Sequence, residues 1–324
     1  MEFSLLFCIF LYIIFTDYKI QRERENAMFT SFFGNYLKTK NVITQEQYTD
    51  VKNTQKTARV KLGLLAVESG LMTEKQAEEV NTLQTQMDKR FGDIAIEKGY
   101  LTDEQLGQML SKQGDAYLLF VQTVTEKGIL TSEQLQEQIA ACKKDLQLTD
   151  AEFEALKSND IDKIAEVVLK DVELSKVEKQ YIELSLRNIV RFIDNHLRVE
   201  KAYKTSKYEA VAIANQNLIG NHSMFTAFTG EAEGVVALAS IFGKEEFSKV
   251  DLDTLDSVCE FLNCNNGLFA TKLSETDVDI DMEPPCMYAE EKEIVADELV
   301  VVPIYVEDKK VELVFAVDKK VAIN

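Results

Sequence analysis

The residues best placed to do chemistry are Asp256, Glu260, Asn263 and Gly267, which are spaced four, three and four positions apart. At about 100° per residue, this spacing places them on one stripe of an α-helix. Such a stripe offers a partner carboxylate charge and the hydrogen-bonding atoms of a carboxamide. Spacing alone also fits an ordinary solvated helix face, so the surrounding sequence must decide between the two interpretations.

The sequence around this stripe resembles the CheC/CheX/FliY chemotaxis phosphatases, and CheX-type members most closely. The similar residues are Asp256-x-x-x-Glu260-x-x-Asn263, then Gly267, Ala270, Leu273 and the segment 278–285. In that family the acidic residue and the Asn of one E-x-x-N helix form the active site, and a downstream proline begins or ends the next strand. Pro285, 22 positions after Asn263, has that place here. The resemblance covers about residues 181–321 and implies one site per subunit.

The resemblance implies hydrolysis of the aspartyl phosphate on a CheY-like response-regulator receiver domain, without a covalent enzyme intermediate. Asn263 would orient the attacking water, and Glu260 would pair with the receiver's active-site lysine. Asp256 would add to docking. Mg²⁺ and the phosphoryl group would be held by the receiver, so no cofactor or metal of the protein's own is expected. Gly267 would either leave room for the partner or permit close helix–sheet packing.

Two functions of other classes remain open on the same residues. One is a non-catalytic adaptor that docks a receiver or a motility component through this surface without hydrolysis. The other is a nucleotide-binding effector whose C-terminal domain only dimerises.

The sequence around the stripe predicts an α+β domain with a mainly antiparallel sheet and one long helix, and these elements would position the stripe. The helix, about residues 252–273, has its apolar residues Leu255, Val258, Cys259 and Leu262 on the face toward the sheet. The β-rich segments are 208–213, 223–229, 235–241, 299–306 and 311–317. The last two predict a hairpin, and 230–234 is interpreted as another hairpin connection.

Pro303 lies within one of these predicted strands and cannot donate to a β-ladder. Its strand is therefore expected at a sheet edge or at a bulge. An edge strand could pair with a second subunit, which predicts a homodimer.

The N-terminal part contains an internal repeat of 29 residues, with four units over about residues 28–144. Three aligned columns carry it: Asn41, Gly70, Gly99 and Gly128; Thr44, Thr73, Thr102 and Thr131; Gln47, Gln76, Gln105 and Gln134. Thr-x-x-Gln is a capping box at a helix start, and the preceding Gly or Asn suits a left-handed residue that closes the previous helix. Each unit is therefore predicted to be a helical hairpin, and neighbouring hairpins are expected to stack and share a core.

The two middle repeats resemble the tandem-motif N-terminal domain of type II secretion and type IV pilus assembly ATPases. Residues 61–84 and 90–113 each span 24 positions. That family's motif pair binds cyclic di-GMP, with a basic residue and backbone meeting guanine and with leucines and a closing Gln lining the pocket. The matching positions are Lys61, Gly63, Gln84, Arg90, Gly92, Leu106, Leu110 and Gln113. The alternative interpretation is that these residues only hold the hairpins together. The ATPase itself has no counterpart in the sequence.

The predicted division of the chain is completed by a leader, residues 1–27, a helical connector, residues 145–180, and the CheX-like domain, residues 181–324. The leader is apolar from Phe3 to Phe15 apart from Ser4, which is short for a membrane span of about 20 residues. It is interpreted as sequence upstream of a true start at Met28. The alternative is a membrane anchor, helped by the cations Lys19, Arg22 and Arg24.

Composition excludes several familiar classes. The chain has 36 Lys and Arg against 55 Asp and Glu, a net charge of −19, which argues against nucleic acid as a partner. Five cysteines without a C-x-x-C pair and two histidines do not suit a usual zinc site or a catalytic triad. No Gly-rich phosphate loop of the G-x-x-x-x-G-K-[ST] type occurs. A reduced cytoplasmic protein is expected.

Overall fold

The computed structural model describes residues 28–55, 57–87, 89–158, 160–194 and 196–324. The predicted leader lies outside these residues. The described chain divides into two compact units, with the boundary between residues 158 and 160. None of the helices within the described ranges is both long enough and apolar enough to cross a membrane. The protein is α+β, since the first unit is helical and the second combines helices with an antiparallel sheet.

The N-terminal unit consists of short helices connected by tight turns. They are α1 (Met28–Thr39), α2 (Gln45–Gln55), α3 (Leu62–Glu68), α4 (Glu74–Gln86), α5 (Phe91–Glu97), α6 (Asp103–Ser111), α7 (Ala116–Glu126), α8 (Ser132–Asp145) and α9 (Asp150–Lys157). The first eight form four helical hairpins, one in each repeat.

Each hairpin turn is built from the residues that the repeat aligns. The residue before the turn has a left-handed backbone in every unit, with φ of 57°, 66°, 71° and 64° at Asn41, Gly70, Gly99 and Gly128. The capping boxes form in all four units, at Thr44 and Gln47, Thr73 and Gln76, Thr102 and Gln105, and Thr131 and Gln134. Local sequence therefore fixes where each helix ends and the next begins.

The expected sharing of a core by neighbouring hairpins is confirmed for the second and third repeats and is wrong for the first, which packs on the fourth. The first and fourth repeats share one core, centred on Phe29, Phe33 and Phe120, whereas the second and third share another, centred on Leu65 and Phe91. The reason is a contact between the two connecting segments. The amide of Val60 donates to the carbonyl of Gln113 at 3.1 Å, and the Gln122 carboxamide bonds the backbone of residues 59 and 61.

The predicted connector, residues 145–180, contains helices that pack on the units to either side of it. Its first helix, α9, completes the core of the first and fourth repeats through Phe153. Beyond the boundary, α10 (Ile161–Leu169) and α11 (Lys176–Phe192) pack on each other and belong to the C-terminal unit. An amphipathic pattern shows that a helix packs on a neighbour, but not on which one.

The C-terminal unit is built around one curled sheet in which every strand pair is antiparallel. Its strands are β1 (Arg198–Val199), β2 (Tyr203–Ala210), β3 (Ile213–Gly220), β4 (Met224–Gly230), β5 (Ile280–Met282), β6 (Cys286–Tyr288), β7 (Lys292–Val306), β8 (Lys309–Val317) and β9 (Val321–Ile323). The main order is β1-β7-β8-β4-β3-β5, while β2 and β9 pair with β7 and β6 pairs with β3.

The predicted hairpin of residues 299–306 and 311–317 is confirmed as β7 and β8, with Glu307 and Asp308 at positive φ in the turn. The edge placement of Pro303 is wrong, because β7 has partners on both sides. Pro303 lies where the partner changes from β1 to β2, so its missing amide faces a break in the pairing. The homodimer prediction loses this strand as its basis.

The predicted strand 235–241 is wrong, because these residues belong to helix α12 (Ala232–Gly243). A short, continuous apolar run fits a buried helix as well as a buried strand, so periodicity does not distinguish the two. The segment 230–234 is correspondingly a strand-to-helix turn rather than a hairpin. Gly234 lies in the first turn of the helix, against the hairpin end of β8, where an added Cβ would lie 1.9 Å from the carbonyl oxygen of Lys310.

The long helix is α13 (Leu252–Ser274), as predicted to within one residue. It begins with the side chain of Asp251 accepting from the amide of Thr254 at 3.1 Å. Leu255, Val258 and Leu262 are buried, which leaves the opposite stripe outside. Helices α12 and α11 flank it, and β3 lies beneath it.

We predict that Gly234→Ala destabilises the C-terminal unit by about 3 kcal/mol, because a methyl group and a backbone carbonyl cannot share the space. Urea unfolding followed by circular dichroism measures the loss. Gly267→Ala on α13 is the matched control, since its Cβ would meet only the side chain of Met282, whose Cε would lie at 3.6 Å. Alanine is the better helix former, so the control should be neutral or stabilising by up to about 1 kcal/mol. Equal losses in both variants would contradict the packing argument.

Candidate functional site

The predicted stripe on α13 faces outward. Asp256, Glu260 and Asn263 are exposed, and Gly267 is half-buried. The helix period sets this arrangement, because most of the residues between them are buried on the other side of the helix. The structure therefore brings together all four residues that the sequence singled out in this domain.

Asn263 differs from its two acidic neighbours because its side chain is anchored. Its Oδ1 accepts a hydrogen bond of 2.8 Å from Nε2 of Gln216 on β3. Gln216 is only 1% exposed, and the same nitrogen donates to the carbonyl oxygen of Glu283 at 2.8 Å. The exposed carboxamide of Asn263 is thus hydrogen-bonded to the buried carboxamide of Gln216, which holds it at a defined position on the surface.

Gln216 belongs to a larger polar network beneath α13. Its Oε1 accepts from Nδ2 of Asn266 at 2.8 Å, and that nitrogen also donates to Oγ1 of Thr226 at 2.9 Å. The hydroxyl of Tyr181 on α11 donates to Oδ1 of Asn266 at 2.8 Å. These groups are fully buried and paired, as buried polar atoms must be to offset their lost hydration.

Neither a motif nor a spacing pointed to Gln216, Asn266 or Tyr181. The available signal was the pair Asn265-Asn266 within the apolar face of a helix, since carboxamides are rarely buried without partners. Asn265 uses that position differently, because it bonds Ser185 and Asn188 on α11. One carboxamide ties the helix to the sheet and the next ties it to the neighbouring helix.

The side chains of Glu260 and Asp256 have no hydrogen bond or ion pair with any residue that the structure describes. A depression lined by Glu245, Glu246 and Asp253 continues from these two residues, and together they form what we call the acidic surface. Lys249 is its one lysine or arginine among the lining residues, and its ammonium lies 3.4 Å from Asp251. The surface therefore favours a cationic partner.

Cys259 lies beside Glu260 but is no nucleophile. Burial, together with the nearby Asp256 and Cys286, raises the pKa of its thiol to about 12. The thiolate, which is the reactive form, is therefore negligible near neutral pH. The chemistry available at the stripe is that of carboxylates and a carboxamide.

Gly267 is not required for close packing of helix and sheet. An added Cβ would find only the side chain of Met282 within 4 Å, at ordinary van der Waals distances. Met282 is itself 40% exposed. Of the two roles considered for this glycine, the structure favours room for a partner.

Solved structures of chemotaxis proteins align with the C-terminal part of this chain. CheX from Desulfovibrio desulfuricans is 13% identical with a TM-score of 0.39, and the alignment covers 44% of this chain and 99% of that one. A CheC-like superfamily protein from Shewanella sp. PV-4 is 13% identical with a TM-score of 0.40, covering 45% and 99%. The CheX–CheY–BeF3–Mg²⁺ complex from Borrelia burgdorferi is 18% identical with a TM-score of 0.32, covering 45% and 96%.

No protein-family model matches the sequence, and no curated protein matches it either. At the identities and TM-scores of the solved structures, the likeness assigns no activity to this chain.

The residues predicted to bind a nucleotide lie on the second and third repeats. Gln113 donates from Nε2 to the carbonyl oxygen of Val60 at 3.2 Å, so it holds the beginning of the first motif. Lys61 forms an exposed ion pair of 2.8 Å with Glu126. Gly63 and Gly92 are buried in the first turns of α3 and α5, where a Cβ on Gly92 would lie 2.6 Å from Leu106. These four contacts serve the packing of the hairpins.

Of the other four predicted nucleotide contacts, Leu106 is half-buried next to Gly92, whereas three lie at the surface. Gln84, Arg90 and Leu110 are exposed, Leu110 by 49%. The side chain of Arg90 makes no hydrogen bond or ion pair within the part of the chain that the structure describes. A cation and a leucine on adjacent helices are what a guanine-binding surface would need, although they are also common on a solvated helix.

Proposed function

We propose that the C-terminal unit is a CheX-like phosphatase that removes the aspartyl phosphate from a CheY-like receiver domain in bacterial chemotaxis signalling in the cytoplasm. One observation carries the proposal. Asn263 is anchored by a hydrogen bond, and Glu260, one turn earlier on the same face of α13, is exposed and its side chain has no partner among the described residues. This is the arrangement that the E-x-x-N motif requires. The reaction class follows from the resemblance in the motif, and the geometry supports it.

Asn263 supplies the positioning on which phosphoryl transfer depends. The receiver brings its own Mg²⁺ and aspartyl phosphate, so the attacking water is what remains to be placed. A carboxamide held at a fixed point can hydrogen-bond that water in line with phosphorus, and no rotational freedom has to be lost during the reaction. Nothing in this step requires a covalent bond to the enzyme.

Glu260 and the acidic surface supply the docking. The active-site lysine of a receiver would meet the Glu260 carboxylate in a charge-assisted hydrogen bond. Asp256 lies one turn earlier on the same stripe and adds to the attraction. Electrostatic complementarity of this kind mainly sets the encounter rate and the orientation of the partner.

The adaptor alternative uses the same surface without hydrolysis. It predicts that Asn263 contributes to the fit but not to turnover. The two functions therefore differ in what happens when the carboxamide is removed and the carboxylate is retained.

For the N-terminal unit we propose that the second and third repeats bind cyclic di-GMP, through Arg90 and the leucines of α6. Exposure of Arg90 and Leu110 on the same repeat favours this role. The alternative, in which these residues are structural, is favoured by the contacts of Gln113 and Gly92.

We predict that Asn263→Ala lowers phosphate release from a phosphorylated chemotaxis-type receiver by about 100-fold, since loss of one positioned hydrogen-bonding group has effects of this order. Binding of the receiver should persist, because Glu260 is retained. Steady-state phosphate release and titration calorimetry with a beryllofluoride-activated receiver give the two quantities. Unchanged turnover would contradict the site, and a wild-type protein that binds without turnover would establish the adaptor.

We predict that Glu260→Lys weakens receiver binding by about tenfold or more, because a like charge replaces the partner of the receiver's lysine. Calorimetry at low and physiological salt measures the loss. Glu275→Lys, the same charge reversal at the exposed C-terminal end of α13, is the control and should bind normally. If both variants bound equally weakly, a general charge effect would replace the specific contact.

We predict that cyclic di-GMP raises the midpoint of thermal unfolding of the full chain, since a ligand that binds only the folded state stabilises it. Arg90→Ala should reduce the shift without changing the midpoint of the unliganded protein, because the side chain is exposed. Lys75→Ala, an exposed cation outside the matching positions, should keep the full shift. No shift in the wild-type protein would leave the repeats with a structural role.

A further inference from the structure

The orientations of the Gln216 and Asn266 carboxamides beneath Asn263 can be derived from two main-chain carbonyls, since a carbonyl oxygen only accepts hydrogen bonds. The first is the carbonyl of Gln216, which lies 2.9 Å from the hydroxyl oxygen of Thr226. That hydroxyl must donate its proton there. It can therefore only accept from its other neighbour, which makes the group at 2.9 Å the NH2 end of Asn266.

The same logic continues outward through Gln216. Because the Asn266 NH2 also faces Gln216 at 2.8 Å, the near atom of the Gln216 carboxamide is its oxygen. Its NH2 then points to Asn263 and to the carbonyl of Glu283, both at 2.8 Å. The carbonyl of Glu283 is the second of the two main-chain carbonyls. Because it can only accept, it independently places the NH2 of Gln216 on this side.

We infer that Gln216 is a positioning residue that fixes the carboxamide of Asn263 with its oxygen inward and its NH2 outward, toward the docked partner. The inward oxygen is held by a donor that has no other orientation available. The outward NH2 has no acceptor among the described residues. A carboxamide free to rotate could present either end, and Gln216 removes that choice.

The kinetic consequence rests on the proposed phosphatase function. An outward NH2 donates to the oxygen of the attacking water or of the phosphoryl group, and it does so from a preset position. The buried network is thereby linked to the reaction through one hydrogen bond. Gln216 touches no reacting atom itself.

The test compares two buried amides in the full-length protein. Gln216→Met keeps the length of the side chain and removes its hydrogen bonds. Asn188→Leu removes a buried hydrogen bond, between the carboxamides of Asn188 and Asn265, that does not involve Gln216 or Asn263. We expect Gln216→Met to lower kcat for phosphate release by about tenfold while KM for the phosphorylated receiver is unchanged, because misplacement of a positioning group affects the chemical step. Asn188→Leu should retain kcat even where its thermal stability falls as much.

Nitrogen–proton NMR of the side-chain amides provides the readout that does not depend on activity. The Asn263 NH2 signals, assigned by their loss in Asn263→Ala, should exchange with water quickly in the wild-type protein, while those of Gln216 should be protected. Gln216→Met should shift the Asn263 signals, and Asn188→Leu should leave them in place.

The outcomes separate the two proposals. Equal loss of kcat in both variants, or Asn263 signals that do not respond to Gln216→Met, would overturn the positioning role. A wild-type protein that releases no phosphate from any receiver tested would overturn the phosphatase proposal instead. The NMR comparison would then decide the positioning inference alone.

Discussion

The C-terminal unit depends on the pairing of carboxamides buried between α13 and the sheet. A buried amide without a partner costs free energy on the order of 1–3 kcal/mol, so each of these side chains accepts only the helix position that satisfies it. Asn266 must lie above Gln216 and Thr226, and Asn265 must face Ser185. Apolar contacts alone would tolerate some sliding of the helix, whereas these bonds fix its position and rotation. The outward stripe is exposed where it is because the inward stripe is bonded.

Local signals explain which parts of the fold were predictable. The capping boxes and left-handed turn residues of the repeats act within a few positions of one another, so their chemistry can be read directly from sequence. Which hairpins share a core depends instead on Val60 meeting Gln113, 53 positions apart. No local pattern encodes that contact. The prediction for α12 was wrong for a related reason. Its apolar run is covered on most sides, so it lacks the periodicity that distinguishes a helix from a strand.

The candidate site likewise has residues that could be predicted from local sequence and one that could not. The exposed side of α13 was predicted from the helical period, since Asp256, Glu260 and Asn263 need only a sheet on the other face. Gln216 was not predicted, because it stands between Asn215 and Asn217 and sequence does not say which of three consecutive amides faces the helix. The register of β3 against β4 decides it, with Gln216 opposite Thr226. The residue that supports the site thus depends on long-range pairing, while the residues that form its surface depend on local spacing.

Asn263 and Glu260 have opposite degrees of freedom, and this difference fits opposite tasks. Ordering a Glu side chain costs up to about 2 kcal/mol of conformational entropy, and a docking contact incurs that cost when the partner binds. No described neighbour holds the Glu260 side chain in one conformation, so it can adjust to a lysine approaching from several directions. For Asn263 the ordering cost is met during folding, by Gln216 and the network behind it. A group that must place a water molecule accurately gains from that arrangement, because misplacement by about 1 Å can cost 100-fold in rate. The flexible carboxylate and the anchored carboxamide, one turn apart on a rigid helix, are therefore suited to capture and to chemistry respectively.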